Sequence, residues 1–329
     1  MIRGFDFKEF TRTKIFTLIA LEVLLIIIFS IWAKAVGNDF LSFKTLITIL
    51  DSMTLSSFLA IGAGCLLLAG HLDLSQASVG AFAGVMLAAG VKFWHMPLGA
   101  IILLSVAVAA GFGLINGILV NKFNFQSFIG TLAMATAIKG LMYFTSVPPA
   151  GGAPTGINFV EPSLKAFVGI RLFGVFPITI VLAVGAFIIY GIIMNKTKFG
   201  MRVYLVGGNS MAAKFSGINP QLILFILFIN CAALSSVSGI LGAARLSQGS
   251  LLALSTSQFT GLTAAILGGI SFGGGRGGLG GTFVGLVILN TFATGMAIIN
   301  INPYWTNAFE GILLLVALSL EYFSLKKTR

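Results

Sequence analysis

Long apolar blocks, separated by short polar segments, limit what this chain of 329 residues can fold into more strongly than any other feature. A run of about 20 apolar residues is long enough to cross the hydrocarbon core of a bilayer as an α-helix. Apolar residues make up 57% of the chain and charged residues only 9%, whereas a soluble domain has roughly 25% charged residues. We therefore predict an all-α polytopic membrane protein that forms a single transmembrane domain over residues 1–329.

The blocks predict about ten transmembrane helices, of which the eighth is too short to cross a full bilayer as a straight helix. The first block is long for a signal-peptide core, and no small-residue cleavage site follows it, so it is predicted to be an uncleaved span. The boundary between the second and third blocks is left open. The predicted spans are 15–33, 46–69, 74–91, 97–120, 125–144, 176–194, 220–244, 258–271, 279–299 and 304–323.

Basic residues lie between the apolar blocks and not in one cluster, so the net charge of +11 does not predict nucleic acid binding. If the N-terminus is cytoplasmic, the predicted cytoplasmic segments hold 13 Lys and Arg residues and the outer segments hold six. This excess follows the positive-inside rule of membrane proteins. Both termini are therefore predicted to be cytoplasmic, with membrane lipid around the spans.

Motifs that would indicate an enzyme are missing or lack their structural context. No G-x-x-x-x-G-K-[ST] sequence occurs, so the chain has no P-loop to hold ATP phosphates. The G-x-G-x-x-G match that begins at Gly273 and the G-x-S-x-G match around Ser271 both follow an apolar span instead of a strand. No group of Cys, His, Asp and Glu has the spacing of metal ligands. We therefore predict no enzyme, no metal and no bound cofactor.

Residues 195–219 form the one long polar and basic segment between apolar blocks. Residues 211–215 include good helix formers, with Asn209 or Ser210 available as an N-cap and Gly217 available as a stop. A short helix between membrane spans has little lipid to bury against, so we expect a soluble protein to bind it. Because the chain has no P-loop, the expected partner is a motor protein that supplies one.

The longest predicted outer connection, residues 145–175, contains four prolines and several glycines and is not predicted to be one helix. Its apolar residues make it less polar than an ordinary linker. Two interpretations are open: the connection packs back onto the membrane face of the protein, or it contacts an external partner. The apolar residues are Phe159, Leu164, Phe167, Leu172 and Phe173.

The segment from Gly70 to Gly80, GHLDLSQASVG, interrupts an apolar block with Asp73, Ser75 and Gln76. A carboxylate at membrane depth is costly and usually faces a cavity or a partner, which favours a gate or part of a permeation path. The alternative is an ordinary cytoplasmic turn in which Asp73 or Ser75 caps the next helix. The sequence leaves both interpretations open.

Neutral polar residues in or beside the spans are a second group of candidates. Each is more often an interhelical hydrogen-bonding residue than a ligand contact, yet together they offer weak, replaceable hydrogen bonds to a hydroxylated solute. With the preceding segment they give a predicted substrate path of Asp73, Ser75, Gln76, Asn116, Thr131 and Asn290.

Glycines spaced four residues apart within the spans predict helices that pack closely. Gly80 and Gly84 form one such pair. Residues 70–84 are also faintly echoed by residues 269–285, since each stretch has a glycine, a polar break and then a G-x-x-x-G pair. Many transporters carry internal repeats, but this echo alone does not establish one.

Four motifs connect the chain with a known family: GHLDLSQASVG, QSFIGTLAMATAIKGL, TKFGMRVYLVGGNSMAAKFSGIN and AAILGGISFGGGRGGLGGTFVGLVIL. Over about residues 45–322 the chain resembles the membrane permease subunit of ribose/xylose/galactose-type bacterial ABC importers. This monosaccharide branch also contains autoinducer-2 and nucleoside relatives. The first motif departs from the family's usual G-G-I-D-L-S by having His71 and Leu72 after its first glycine, but it keeps D-L-S.

The resemblance implies a permease subunit of the bacterial cytoplasmic (inner) membrane that imports a monosaccharide and has no ATPase site of its own. A cytoplasmic ABC ATPase would bind ATP and Mg, an extracytoplasmic sugar-binding protein would deliver the solute, and a second permease copy would complete a homo- or heterodimer. Connection 145–175 is then an expected contact for the binding protein. The family's motor-coupling loop corresponds to Gly207, Gly208, Asn209, Ala212, Ala213, Ser216 and Gly217.

Other functions stay open at this stage. The solute could be a nucleoside or autoinducer-2, because the binding protein largely sets selectivity. A stand-alone secondary carrier usually has ionisable residues or broken helices for ion coupling, and Glu22 and Lys139 are too scattered to form a proton relay. A membrane scaffold would need no polar path. The basic segment 195–219 and the resemblance favour the ABC permease.

Overall fold

The computed structural model describes residues 14–148, 151–153 and 156–302, and beyond them residues 304, 305, 308, 309, 311–313, 315 and 319. The predicted last span, 304–323, lies partly outside the described residues. The basic N-terminal and C-terminal segments, on which much of the predicted orientation depends, lie almost wholly outside them.

Within residues 14–302, the described part of the chain contains twelve helices and four strands of two residues each. β1 pairs with β4 and β2 pairs with β3, both antiparallel. The helices are α1 Lys14–Ala35, α2 Phe43–Leu68, α3 Gln76–Lys92, α4 Leu98–Asn121, α5 Ser127–Ser146, α6 Pro162–Gly169, α7 Ile178–Lys196, α8 Lys198–Gly208, α9 Ser210–Phe215, α10 Pro220–Leu246, α11 Ser257–Leu267 and α12 Leu279–Ile298. The strands are β1 Ile157–Asn158, β2 Arg171–Leu172, β3 Phe176–Pro177 and β4 Gln248–Gly249.

Seven helices of the described chain are long and apolar enough to cross a membrane: α1, α2, α4, α5, α7, α10 and α12. α3 is shorter, with 17 residues, and α11, with 11 residues, is too short to cross a bilayer as a straight helix. The predicted class, an all-α polytopic membrane protein, is confirmed.

α2, α3 and α10 occupy the centre of the bundle, where most of their residues are buried. Glycine lets α3 approach α10 closely. A Cβ atom built on Gly80 would lie 2.6 Å from the carbonyl oxygen of Ser235, and one built on Gly84 would lie 2.8 Å from that of Gly239. The close packing predicted from the glycine spacing is therefore confirmed for this pair of helices.

Connection 145–175 partly packs back onto the helix bundle, as one of the two interpretations predicts. Ile157, Phe159 and Leu164 are buried, and β1 pairs with β4, which directly follows α10. Val160 and Phe173 are instead 81% and 93% exposed. The connection therefore has a buried apolar side and an exposed apolar side.

The bundle has two ends that carry different connections. One end, named here the α9 end, carries the α2–α3 connection, the α4–α5 connection, residues 197–219 and the loop 268–278. Gly207 contacts Leu68 and Gly275, and Leu72 N bonds to Ser127 Oγ at the start of α5, so these parts lie together. The opposite end carries the α3–α4 connection and the contact between β1 and β4. Both candidate regions described next lie at the α9 end.

Candidate functional site

The basic segment between α7 and α10 folds into two short helices with complete caps. Thr197 Oγ1 accepts a 3.2 Å hydrogen bond from Gly200 N at the start of α8. Asn209 Oδ1 accepts a 2.9 Å hydrogen bond from Ala212 N at the start of α9. The predicted helix is confirmed, and of the two candidate caps Asn209 is the one used.

α9 ends at the predicted glycine. Gly217 has a φ of +78°, a left-handed conformation that favours glycine. Ile218 N donates to the carbonyl of Ala213 over 3.0 Å, and Gly217 N donates to that of Lys214 over 3.1 Å. These two bonds form a Schellman motif, which satisfies the last carbonyl groups of the helix. The caps hold α9 in shape without a partner.

α9 presents apolar side chains away from the bundle. Ala213 is buried against the protein, whereas Met211 is 62% exposed and Phe215 is 85% exposed. Lys214 is also exposed between them. A capped helix with exposed apolar side chains at the end of a membrane bundle is suited to bind a groove on another protein.

The seven predicted coupling residues do not all face the same way. Gly207 and Ala213 lie against the bundle. The exposed members are Gly208, Asn209, Ala212, Ser216 and Gly217. The structure therefore divides this set into an exposed group and an inward-facing pair.

A buried polar cluster lies at the α2–α3 connection, where the ends of α4 and α5 approach it. Asp73 Oδ1 accepts hydrogen bonds from Ser75 N over 2.7 Å and from Ser75 Oγ over 2.5 Å. Asn116 Nδ2, from α4, donates to Ser75 Oγ over 2.9 Å. Thr131 Oγ1, from α5, accepts from Leu74 N over 3.0 Å. The connection is thus fastened to two neighbouring helices by side chains.

Ser75 makes no side-chain hydrogen bond to the backbone of α3, although it occupies the N-cap position. Its hydroxyl donates to Asp73 instead. Asp73 in turn bonds to the N–H of Ser75, one residue before α3 begins. The simple capping interpretation therefore does not describe this turn, which is a bonded cluster between helices.

Gln76 continues the cluster into the centre of the bundle. Its side-chain nitrogen contacts the sulfur of Cys231 on α10. Gln258 of α11 accepts a 3.1 Å hydrogen bond from Ala77 N. No pattern along the sequence places Gln258 beside this connection.

Two buried oxygen atoms of the cluster, Asp73 Oδ2 and Asn116 Oδ1, have no hydrogen-bond partner within the described part of the chain. Burial raises the pKa of Asp73 above its ordinary value, because desolvation penalises the charged carboxylate. The hydrogen bonds from Ser75 oppose that rise.

A cavity of about 490 Å³ lies beside the cluster and includes Gly70, His71, Gln126 and Ser127 in its wall. Ser127 links the two, because its Oγ accepts a 3.2 Å hydrogen bond from Leu72 N. Sequence reasoning missed Ser127. Its position at the start of α5, opposite the polar break, could have suggested it.

Asn290 is the one predicted path residue that the structure places elsewhere. It lies in the middle of α12, where its Oδ1 accepts a 3.0 Å hydrogen bond from Ser52 Oγ on α2. Next to it, Thr291 Oγ1 donates to Glu22 Oε1 over 2.7 Å. These residues form a second polar group between α1, α2 and α12. The other five predicted path residues meet at the α2–α3 connection.

These features define a class: a polytopic α-helical membrane protein with buried polar contacts between its helices and, at one end, a short capped helix with exposed apolar side chains. The family described as branched-chain amino acid transport system / permease component matches residues 45–318. The chain belongs to this family. It is therefore a permease, a transport component and not an enzyme.

Three relatives show how far the similarity extends. The chain is 30% identical over 299 residues to the ribose import permease protein RbsC of Bacillus subtilis, covering 91% of this chain and 89% of the relative. It is 28% identical to the galactose/methyl galactoside import permease protein MglC of Salmonella typhimurium, covering 94% of each chain. It is 31% identical to the L-arabinose transport system permease protein AraH of Escherichia coli, covering 84% and 82%. No solved structure matches.

Proposed function

We propose that this chain is the permease subunit of an ATP-binding-cassette importer that carries a monosaccharide inward across the bacterial cytoplasmic (inner) membrane. The observation that carries the proposal is the similarity to sugar import permeases over nearly the whole length of both chains. Ribose, galactose and arabinose appear in the names of those relatives. A pentose or hexose is therefore the solute class to test first.

The proposed motor is a separate cytoplasmic ABC ATPase that binds α9. Met211 and Phe215 would enter an apolar groove of the ATPase, and the exposed coupling residues Asn209, Ala212 and Ser216 would lie around them. ATP and Mg belong to the ATPase, because the sequence of this chain contains no P-loop. A second permease copy, identical or similar, would bind a second ATPase.

The proposed orientation places the α9 end in the cytoplasm, together with both termini. Ten spans result if the seven long helices are joined by α3, α11 and the segment 304–323. Connection 145–175 then lies outside the membrane. Its exposed Val160 and Phe173 are the proposed contacts of the sugar-binding protein.

The proposed solute path passes the polar cluster of Asp73, Ser75, Gln76, Asn116 and Thr131, and the group around Asn290 lies nearer the opposite end. In one state the buried hydrogen bonds of the cluster close the path. ATP binding closes the motor dimer, moves α9 and tilts the helices so that solute enters from the binding protein. This coupling requires the motor to bind one permease state more tightly than the other.

A direct test is gentle detergent extraction of the tagged chain from its own host, followed by identification of the proteins that co-purify. A P-loop ATPase in stoichiometric amount supports the proposal. A solute-binding protein in the same preparation can be tested with D-ribose, D-galactose, L-arabinose, a nucleoside and autoinducer-2. A well-folded preparation without an ATPase would contradict the proposal and favour a stand-alone secondary carrier.

The coupling assignment has its own test at Gly217. Its φ of +78° and its exposed position mean that a bulky residue there distorts the end of α9 without filling the core. The variant should reach the membrane in normal amount, while ATP hydrolysis no longer drives uptake. Normal uptake by a Gly217→Trp variant would show that this end of α9 does not couple to the motor.

A further inference from the structure

Three backbone segments meet at the α9 end of the bundle, beside the docking helix and not within it. They are the last turn of α2, the end of α8 and the loop 268–278. The residues in contact are mostly glycines. We name this contact the glycine junction and define it by Leu68, Gly70, Gly207, Gly274 and Gly275.

The end of α2 contacts both the loop 268–278 and the end of α8 through backbone atoms. Gly275 N donates a 2.8 Å hydrogen bond to the carbonyl of Leu68, which has no partner within its own helix because it lies in the last turn. A Cβ atom built on Gly207 would lie 1.9 Å from the same carbonyl oxygen and 2.7 Å from Gly275 N. Any side chain at Gly207 would therefore push the end of α8 away from the end of α2.

Gly274, in the loop 268–278, contacts both the start of the α2–α3 connection and the end of α8. Its φ is +81°, and a Cβ atom built on it would lie 2.7 Å from Gly70 N and 2.9 Å from the carbonyl oxygen of Gly207. Gly70, with a φ of +78°, begins the connection that reaches Asp73 three residues later. The junction therefore joins the segment before α9 directly to the segment that carries the polar cluster.

Gly208, the next residue along α8, touches the junction only through its backbone, since a Cβ atom built on Gly275 would lie 2.6 Å from Gly208 Cα. A Cβ atom built on Gly208 would meet nothing within 4 Å, and the residue is exposed. Both glycines lie at the C-terminal end of α8, so replacement by alanine changes helix propensity in the same direction at each. The sequence assigns the two residues the same role, and the structure separates them.

We propose that Gly207 is a positioning residue that passes a displacement of α9 to the polar cluster, and that it is not part of the surface that binds the motor ATPase. This inference rests on the proposed function, because it needs a motor that moves α9. Glycine backbones in contact have no side chain that can turn aside, so a shift of one segment displaces the next. A movement at the end of α8 therefore moves Leu68 and Gly70, and with them the turn at Asp73.

The test uses the full chain with its co-purified ATPase in lipid vesicles and a cysteine reporter, His71→Cys. His71 lies in the α2–α3 connection and in the wall of the cavity, and the two native cysteines are buried. The rate of maleimide labelling at the reporter is measured with and without Mg and a non-hydrolysable ATP analogue. The reporter is combined with Gly207→Ala in one preparation and with Gly208→Ala in a matched control.

In the parent chain and in the Gly208→Ala control, the ATP analogue should change the labelling rate by at least about fivefold, as expected for coupled sites. In Gly207→Ala the change should be absent, while the amount of bound ATPase stays near that of the control; the melting temperature should fall, because the added Cβ atom meets the Leu68 carbonyl. An unchanged response in Gly207→Ala would overturn the proposal. Loss of bound ATPase in that variant would also overturn it, because Gly207 would then belong to the docking surface.

If the Gly207→Ala variant cannot be recovered folded, a second variant, Tyr204→Phe, tests the same proposal. Tyr204 Oη donates a 3.0 Å hydrogen bond to the carbonyl of Gly277 and so ties α8 to the same loop. Tyr204→Phe removes this bond without adding volume and should weaken the response of the reporter. A full response would overturn the proposal. A parent chain that binds no ATPase would instead contradict the proposed function, before any variant is compared.

Discussion

Two interruptions between helices lie side by side at the α9 end and are fastened in different ways. Beyond the glycine junction at Gly70, the α2–α3 connection is held by side-chain hydrogen bonds around Asp73 and Ser75. The loop between α11 and α12 starts at Gly269, with a φ of +91°, and is held by backbone packing. A Cβ atom built on Gly281 would lie 2.0 Å from the carbonyl oxygen of Gly268.

The comparison shows that similar sequence patterns can form connections that are held in different ways. We call the α2–α3 connection the side-chain joint, because side-chain hydrogen bonds hold it, and the loop 268–278 the backbone joint, because backbone contact holds it. A joint held by side-chain hydrogen bonds tolerates a replacement that keeps the right donor or acceptor. A joint held by backbone contact tolerates no added atom, since a packed interior cannot make room for it without strain. We therefore expect substitutions at the two joints to have different kinds of effect.

The largest effect is expected at the backbone joint. Gly281→Ala places a methyl group against the Gly268 carbonyl and should destabilise the protein by about 1–3 kcal/mol or more. The melting temperature of the purified chain in detergent measures the change. Gly280→Ala is the matched control, because a Cβ atom there meets nothing within 4 Å. Equal melting temperatures for the two variants would contradict the description of this joint.

The next effect is expected at the side-chain joint. Asp73→Ala removes the acceptor for both Ser75 N and Ser75 Oγ and leaves buried donors unpaired, which costs roughly 1–3 kcal/mol. If Asp73 belongs to the path, sugar uptake should fall more than the amount of protein in the membrane. Uptake at the full rate per molecule would show that the turn is only structural.

A smaller effect is expected for Asp73→Asn, which separates chemistry from shape at the same position. The amide keeps one oxygen as an acceptor for Ser75. Its NH2 group replaces Asp73 Oδ2, which lacks a partner, and adds two N–H donors to a cluster in which Asn116 Oδ1 also lacks one. The variant should therefore retain more uptake and a higher melting temperature than Asp73→Ala. Equal losses for the alanine and asparagine variants would show that the acceptor oxygen is not what holds the joint.

The same variant gives a prediction about pH. Because the pKa of Asp73 is raised by burial in the folded protein, its contribution favours the fold most at pH below the ordinary carboxyl pKa and is lost as pH rises through the raised pKa. Asparagine does not titrate. The melting temperature of Asp73→Asn relative to the parent chain should therefore increase as pH rises over that range. A difference that stays constant with pH would contradict the raised pKa.

The smallest effect is expected at Ser127, where the joint borders the cavity. Ser127→Ala removes the acceptor for Leu72 N, but a solvent molecule can replace the hydroxyl at this partly exposed site, so the cost should be about 0.5–1.5 kcal/mol. Thermal melting beside Thr131→Val, which removes the acceptor for Leu74 N from a fully buried residue, provides the comparison. A larger loss at Ser127 than at Thr131 would reverse the expected order.

Much of the fold could be predicted because its signals are local. Apolar blocks predicted the seven long helices within a few residues, and cap and stop residues predicted α9 with Asn209 and Gly217 at its ends. The contacts of the α2–α3 connection could not be predicted. Ser127 bonds to Leu72 N and Gln258 bonds to Ala77 N, although both are far from this connection in sequence. The same reason explains why Asn290 was grouped with residues that it does not contact.

The sequence by itself determined that the chain crosses a membrane, that it belongs with permeases and that its basic segment forms a capped helix. These properties depend on hydropathy, on cap chemistry and on motifs read along the chain. Only the tertiary structure decided which glycines carry contact. Gly207 and Gly208 are identical neighbours in sequence, but a Cβ atom on Gly207 would meet the Leu68 carbonyl, whereas one on Gly208 would meet nothing within 4 Å. Because glycine has no side chain, the sequence does not distinguish one glycine from the next. The role of each depends on which other segments the fold packs against it.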